Sequence, residues 1–162
     1  MRKLVIFELD NILGTLLCGD DAINIPDTYT RSYIDTSSIK GTFVVRPFVR
    51  AFIEHLILHG YYVAVWGIRP HDYVTEVINK LFHGIDWKFV WSVDDCLSSS
   101  AHVKNLNNVI SRYPSLRQDT MMLLYDSDYE TCQTNGKLDY ICLHVPKFEI
   151  DVKEDYFKDL ME

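Results

Sequence analysis

Residues 4–13 read Leu-Val-Ile-Phe-Glu-Leu-Asp-Asn-Ile-Leu. The run of large apolar residues is short enough for a strand and apolar enough to lie in a core. It ends in two carboxylates one residue apart, Glu8 and Asp10. Along an extended chain, alternation directs both side chains to the same side. Two convergent acids at the end of a core strand suit the binding of a hard cation and a phosphate, or acid–base work.

The rest of the chain repeats the theme of strand, then helix. Residues 42–46 and 61–66 read as strands, and so do 88–91, 121–125 and 140–145. A helix is expected over 48–59, with Phe48, Val49, Phe52, Ile53, Leu56 and Ile57 on one face and Gly60 at its end. A second covers 72–81, with Tyr73, Val77, Ile78 and Leu81 inward, and a third covers 105–112. Residues 18–42 are polar and turn-rich and read as an insertion. Residues 151–162 read as a C-terminal docking helix carrying Val152, Tyr156, Phe157 and Leu160. Strands alternating with helices predict an α/β fold, a central parallel sheet covered on both faces. Ligands of such sheets bind beyond the carboxyl ends of the strands. Glu8, Asp10, Gly67 and Asp126 all follow predicted strands and are expected at one edge.

At 162 residues the chain suits one domain, and 48% apolar composition excludes a disordered one. A net charge of −7 argues against non-specific contact with nucleic acid or anionic membrane. No apolar run reaches the length of a membrane span, and Glu8 comes too early for a signal peptide. An intracellular protein, in cytoplasm or nucleus, is expected. Cys18, Cys96, Cys132 and Cys142 are widely spaced, without a Cys-x-x-Cys pair. They read as reduced thiols, mostly buried.

Several anchors in order resemble the small carboxy-terminal-domain phosphatases, the FCP1 homology or NLI-interacting-factor branch of the haloacid dehalogenase-like superfamily. They are Glu8-Leu9-Asp10-Asn11-Ile12-Leu13, Arg46-Pro47-Phe48, the strand 63–66 with Gly67-Ile68-Arg69, Val103-Lys104-Asn105-Leu106, Leu124-Tyr125-Asp126-Ser127-Asp128 and Gln133-Thr134-Asn135-Gly136. The resemblance implies a three-layer α/β/α fold without a large cap over residues 1–162, with 18–42 as a small insertion. It also implies roles. Glu8 stands where the nucleophilic Asp attacks phosphorus, and Asp10 stands at the general acid/base position. Lys104 and the residues at 12 and 67 stand where phosphate is held. Magnesium would be bound by Glu8, Asp10 and Asp126, with Asp128 the other fourth-motif acid.

The departures from that pattern act together. Glu8 is one methylene longer than Asp, and a misplacement of about 1 Å can cost on the order of 100-fold in rate. Ile12 and Gly67 each lack the hydroxyl that grips phosphate. Asp10 and Lys104 are intact. The expected function is therefore that of a pseudophosphatase, a catalytically impaired phosphatase-like domain that binds or regulates a protein partner or phosphoprotein. One alternative is an active magnesium-dependent phosphoprotein phosphatase. The other is a homodimeric scaffold joined through residues 151–162.

Other features carry less. His55 and His59 have a metal-binding spacing on the first helix but lack the His-Glu-x-x-His order, and read as a solvated face. Cys96 reads as a buried structural thiol. Tyr29, Tyr33 and Phe43 either pack the insertion onto the core or line a groove for a peptide.

Overall fold

The computed structural model describes residues 3–96, 104–117, 119–125, 132–133, 140–153 and 155–162. Strand β1 (Lys3–Phe7) runs through the middle of a five-stranded parallel sheet. Beside it lie β5 (Tyr62–Trp66) and β8 (Thr120–Tyr125), and outside these β6 (Trp87–Trp91) and β10 (Tyr140–His144). The order is β10-β8-β1-β5-β6. Alternation along β1 divides the core in two. Val5 and Phe7 face the layer of α1 (Val49–Leu58), α2 (His71–Leu81) and α4 (Tyr156–Leu160). Leu4 and Ile6 face the layer of α3 (Asn107–Arg112). The expected three layers follow from a strand that is apolar on both faces.

The insertion is more ordered than its polar composition suggests. Strands β2 (Gly14–Leu17), β3 (Arg31–Asp35) and β4 (Lys40–Val45) form an antiparallel sheet in the order β2-β4-β3, reaching past both ends of 18–42. Ile34 and Phe43 are buried in the core beside α1 and α2. Gly14 is required at its place: a Cβ there would collide with Val44 O and the Phe43 ring. Tyr29 packs against Phe148, while Tyr33 stays 56% exposed. Of the three aromatics, two therefore fasten the insertion and one faces solvent.

Helix boundaries shift for physical reasons. Phe48 adopts φ 66° before α1 and is partly exposed, as is Ile57, so four residues rather than six form the buried face. Lys104 and Asn105 form a two-residue strand, β7, and α3 begins only at Asn107. Strand β7 pairs in parallel with β9 (Cys132–Gln133). The C-terminal helix is limited to five residues, with Val152 exposed before it. Its Phe157 is fully buried, 5.0 Å from the Phe52 ring and 6.4 Å from Phe7. Burying one such ring contributes about 1.5–3 kcal/mol. The tail is thus docked on the core, which removes the free tail that the homodimeric alternative required.

The thiols differ from expectation. Cys142 is disulfide-bonded, and Cys18 is free but exposed rather than buried. No helix is long and apolar enough to cross a membrane among the described residues.

Candidate functional site

The carboxyl edge of the sheet collects the residues that the strand pattern placed there. The N–H of Glu8 donates to Leu124 O at 3.1 Å, which carries the β1–β8 ladder one residue past β1. The N–H of Gly67 donates to Trp91 O at 3.0 Å and does the same between β5 and β6. Strand β1 itself ends at Phe7, and the chain turns through 9–13. Asn11 takes φ 70°, a left-handed conformation that Asn tolerates well. Its carbonyl accepts from Arg46 Nη1 at 3.2 Å and from the Phe148 N–H at 3.1 Å. Arg46 is buried and lies over the Phe157 ring at 4.9 Å. The Arg-Pro anchor therefore clamps the first-motif turn to the C-terminal segment, a structural role.

The two acids have different partners. Glu8 is 2% exposed and accepts a hydrogen bond from Lys104 Nζ at 3.3 Å. The Lys104 side chain is fully buried and is supplied by β7. Asp10 lies nearer the surface. The hydroxyl of Tyr73 donates to Asp10 Oδ1 at 2.9 Å, and Arg69 Nε donates to Oδ2 at 3.2 Å. Burial, then the neighbouring Asp10 carboxylate, pushes the Tyr73 hydroxyl far above the ordinary tyrosine range. Tyr73 is thus a permanent donor. With both oxygens accepting, Asp10 has the geometry of a bound carboxylate rather than of an acid presenting its proton. Arg69 is half-exposed at the mouth.

The two positions expected to lack phosphate-gripping hydroxyls are filled in different ways. Ile12 is fully buried and belongs to the core. At Gly67 an added Cβ would lie 3.0 Å from Val74 Cγ2 and 3.4 Å from Leu9 Cβ. A hydroxyl-bearing residue there would press on Val74 of α2, whose side chain would have to give by a few tenths of an ångström. Behind Lys104, burial pushes the Cys96 thiol up, with the ammonium of Lys104 acting the other way. Trp66 offers its indole N–H toward the same thiol but makes no hydrogen bond among the described residues. A thiol held protonated by burial is a poor nucleophile.

Asp126 and Asp128 lie outside the described residues. Among those described, no three His, Cys, Asp or Glu side chains gather as a metal site. Glu8 and Asp10 have the oxygen chemistry that magnesium takes, and Asp126, the third residue expected to hold it, is not among the described residues. The partnership of Asp10 with Arg69 and Tyr73 escaped the sequence reading. The one signal for it was position, since both residues follow β5 closely and α2 opens between them.

Residues 3–162 match the family described as NLI interacting factor-like phosphatase. No curated protein sequence matches the chain. Among solved structures, the RNA polymerase II CTD phosphatase Fcp1 aligns at TM-score 0.62 and 14% identity, over 91% of this chain and 42% of that one. A fission yeast Fcp1 variant bound to beryllium fluoride aligns at 0.55 and 15%, over 78% and 37%. A proposed 3-deoxy-D-manno-octulosonate 8-phosphate phosphatase from Vibrio cholerae aligns at 0.50 and 9%, over 99% and 81%. The fold is the one these phosphatases share. The chain spans less than half the length of either Fcp1 structure.

Proposed function

The chain belongs to the NLI interacting factor-like phosphatase family, and from that premise we propose that it is a pseudophosphatase that engages a protein partner. The observation that carries this reading is the buried Glu8–Lys104 pair. In the family pattern these positions supply the nucleophile and a phosphate-holding cation. Here they face each other at 3.3 Å with side chains 3% and 0% exposed. Phosphoryl transfer depends on positioning and on neutralising developing charge. A carboxylate and an ammonium that neutralise each other in the core are withdrawn from both tasks. Ile12 in the core and Val74 against Gly67 remove the two hydroxyl contacts as well.

Partner binding is supported by what stands at the mouth. The insertion is a small antiparallel sheet rather than a cap, so the edge of the site suits a protein surface better than an enclosed metabolite. Asp10 and the half-exposed Arg69 face that edge, and a guanidinium there suits a phosphorylated side chain.

The test is phosphate release from a generic phosphomonoester, with and without magnesium, for the natural chain and for Glu8→Ala. The two are expected to be indistinguishable. Magnesium-dependent turnover that Glu8→Ala abolishes would establish the competing reading, an active phosphatase. Glu8→Asp alone is expected to restore little, because Ile12 and Val74 remain in place.

A further inference from the structure

The pair His55 and His59 lies outside that site and has a geometry that the function above does not use. His55 lies on the last turn of α1 and His59 caps its C-terminus, and both line a mainly apolar cavity of about 320 Å³. Its walls include Leu56, Met122, Leu143, Tyr156 and Leu160. The two imidazole rings are 4.2 Å apart between centroids, inclined at 39°. His59 Nδ1 lies 2.8 Å from the carbonyl oxygen of His55. A carbonyl only accepts, so Nδ1 is the donor, and Nε2 is the nitrogen that the neutral ring presents to a metal. Metal-binding histidines are oriented in this way, with the second nitrogen donating to a backbone carbonyl. The helix end adds a favourable field, since its carbonyls carry partial negative charge.

We propose that His55 and His59 form a two-histidine site for a divalent late transition-metal ion such as zinc or nickel. Zinc–imidazole bonds of about 2.0–2.1 Å place two ligating nitrogens roughly 3 Å apart, and the two rings stand 4.2 Å apart between centroids. Imidazole suits zinc, nickel and copper, whereas magnesium prefers oxygen. Among the described residues no third His, Cys, Asp or Glu joins the pair. The ion therefore keeps positions open to water or to a small ligand, unlike a structural zinc closed by four side chains. Both histidines are at least partly exposed, so replacing them leaves the core intact.

The test is calorimetric titration of the untagged full chain with zinc and nickel, with magnesium as the control. One tight equivalent of zinc is expected, weakened roughly tenfold or more (about 1.4 kcal/mol) by His55→Ala and by His59→Ala alike. Zinc should raise the melting temperature of the natural chain and not of the double variant. Copper at one equivalent should show electron-paramagnetic coupling to two nitrogens. Equal zinc binding by the double variant, as at the exposed Cys18, would overturn the proposal. So would no binding at all, which would make the ring contact one of packing only, or copper coupling to a single nitrogen.

Discussion

Glu8 and Asp10 stand two residues apart in the sequence and in opposite surroundings. Glu8 lies in the core against a fully buried ammonium, while Asp10 lies at the mouth between a tyrosine hydroxyl and a half-exposed guanidinium. The turn after Phe7 makes the difference, because it ends the alternation that would have kept the two acids side by side. One acid is part of the core and the other part of the surface.

The contrast is sharpest at Lys104. Removing one partner of a buried ion pair costs about 3–5 kcal/mol, because a charge is left in the core, while replacing both costs far less. Lys104→Met should therefore lower stability by about that amount in urea unfolding. Glu8→Gln with Lys104→Met should recover most of it. A cost for Lys104→Met as small as that of a surface charge would erase the distinction between the two acids.

Tyr73→Phe removes a buried donor to a charged acceptor and is expected to cost about 1.5–3 kcal/mol near neutral pH. It also carries a pH signature. The folded state holds the Tyr73 proton far above the ordinary value, whereas the unfolded chain releases it near pH 10. The stability this supplies is complete below about pH 10 and is lost as pH rises beyond it. Melting temperatures across that range should fall less steeply for Tyr73→Phe than for the natural chain.

Gly67→Thr tests whether the phosphate-gripping position has closed. With Val74 Cγ2 3.0 Å from the new Cβ, overpacking of about 1–3 kcal/mol is expected. Val74→Ala in the same chain should relieve part of it. A Gly67→Thr variant as stable as the natural chain would mean that the pocket is still open. The smallest effect belongs to Arg69→Ala. Its pair with Asp10 is half in solvent, so the expected loss is under about 1 kcal/mol and shrinks with added salt.

The apolar runs 4–7 and 62–66 and the helical spacing of Tyr73, Val77, Ile78 and Leu81 made the parallel sheet and its helices legible, since burial periodicity is local information. The family was legible too, as a pattern of residues at fixed offsets. The split of the site was not. It depends on β7 bringing Lys104 to Glu8, 96 positions away in sequence, and on α2 bringing Tyr73 to Asp10, 63 positions away, and both are long-range contacts. The docked tail was half legible: Phe157 held the right spacing, but a five-residue helix is fixed by its fit against Phe7 and Phe52 rather than by its own periodicity. The sheet within the insertion was legible only in part: the strand expected at 42–46 is β4, whose Phe43 and Val44 are buried, whereas the polar residues around β3 left Ile34 as its one buried anchor.

The most direct measurement follows the ε-ammonium of Lys104 by nitrogen NMR in lysine-labelled protein, with magnesium and orthovanadate added as a phosphate mimic. A slowly exchanging ammonium signal that does not move at saturating vanadate is expected if Lys104 is committed to Glu8. A signal that shifts on addition, and returns when vanadate is removed, would show Lys104 still serving a phosphate and would contradict the account.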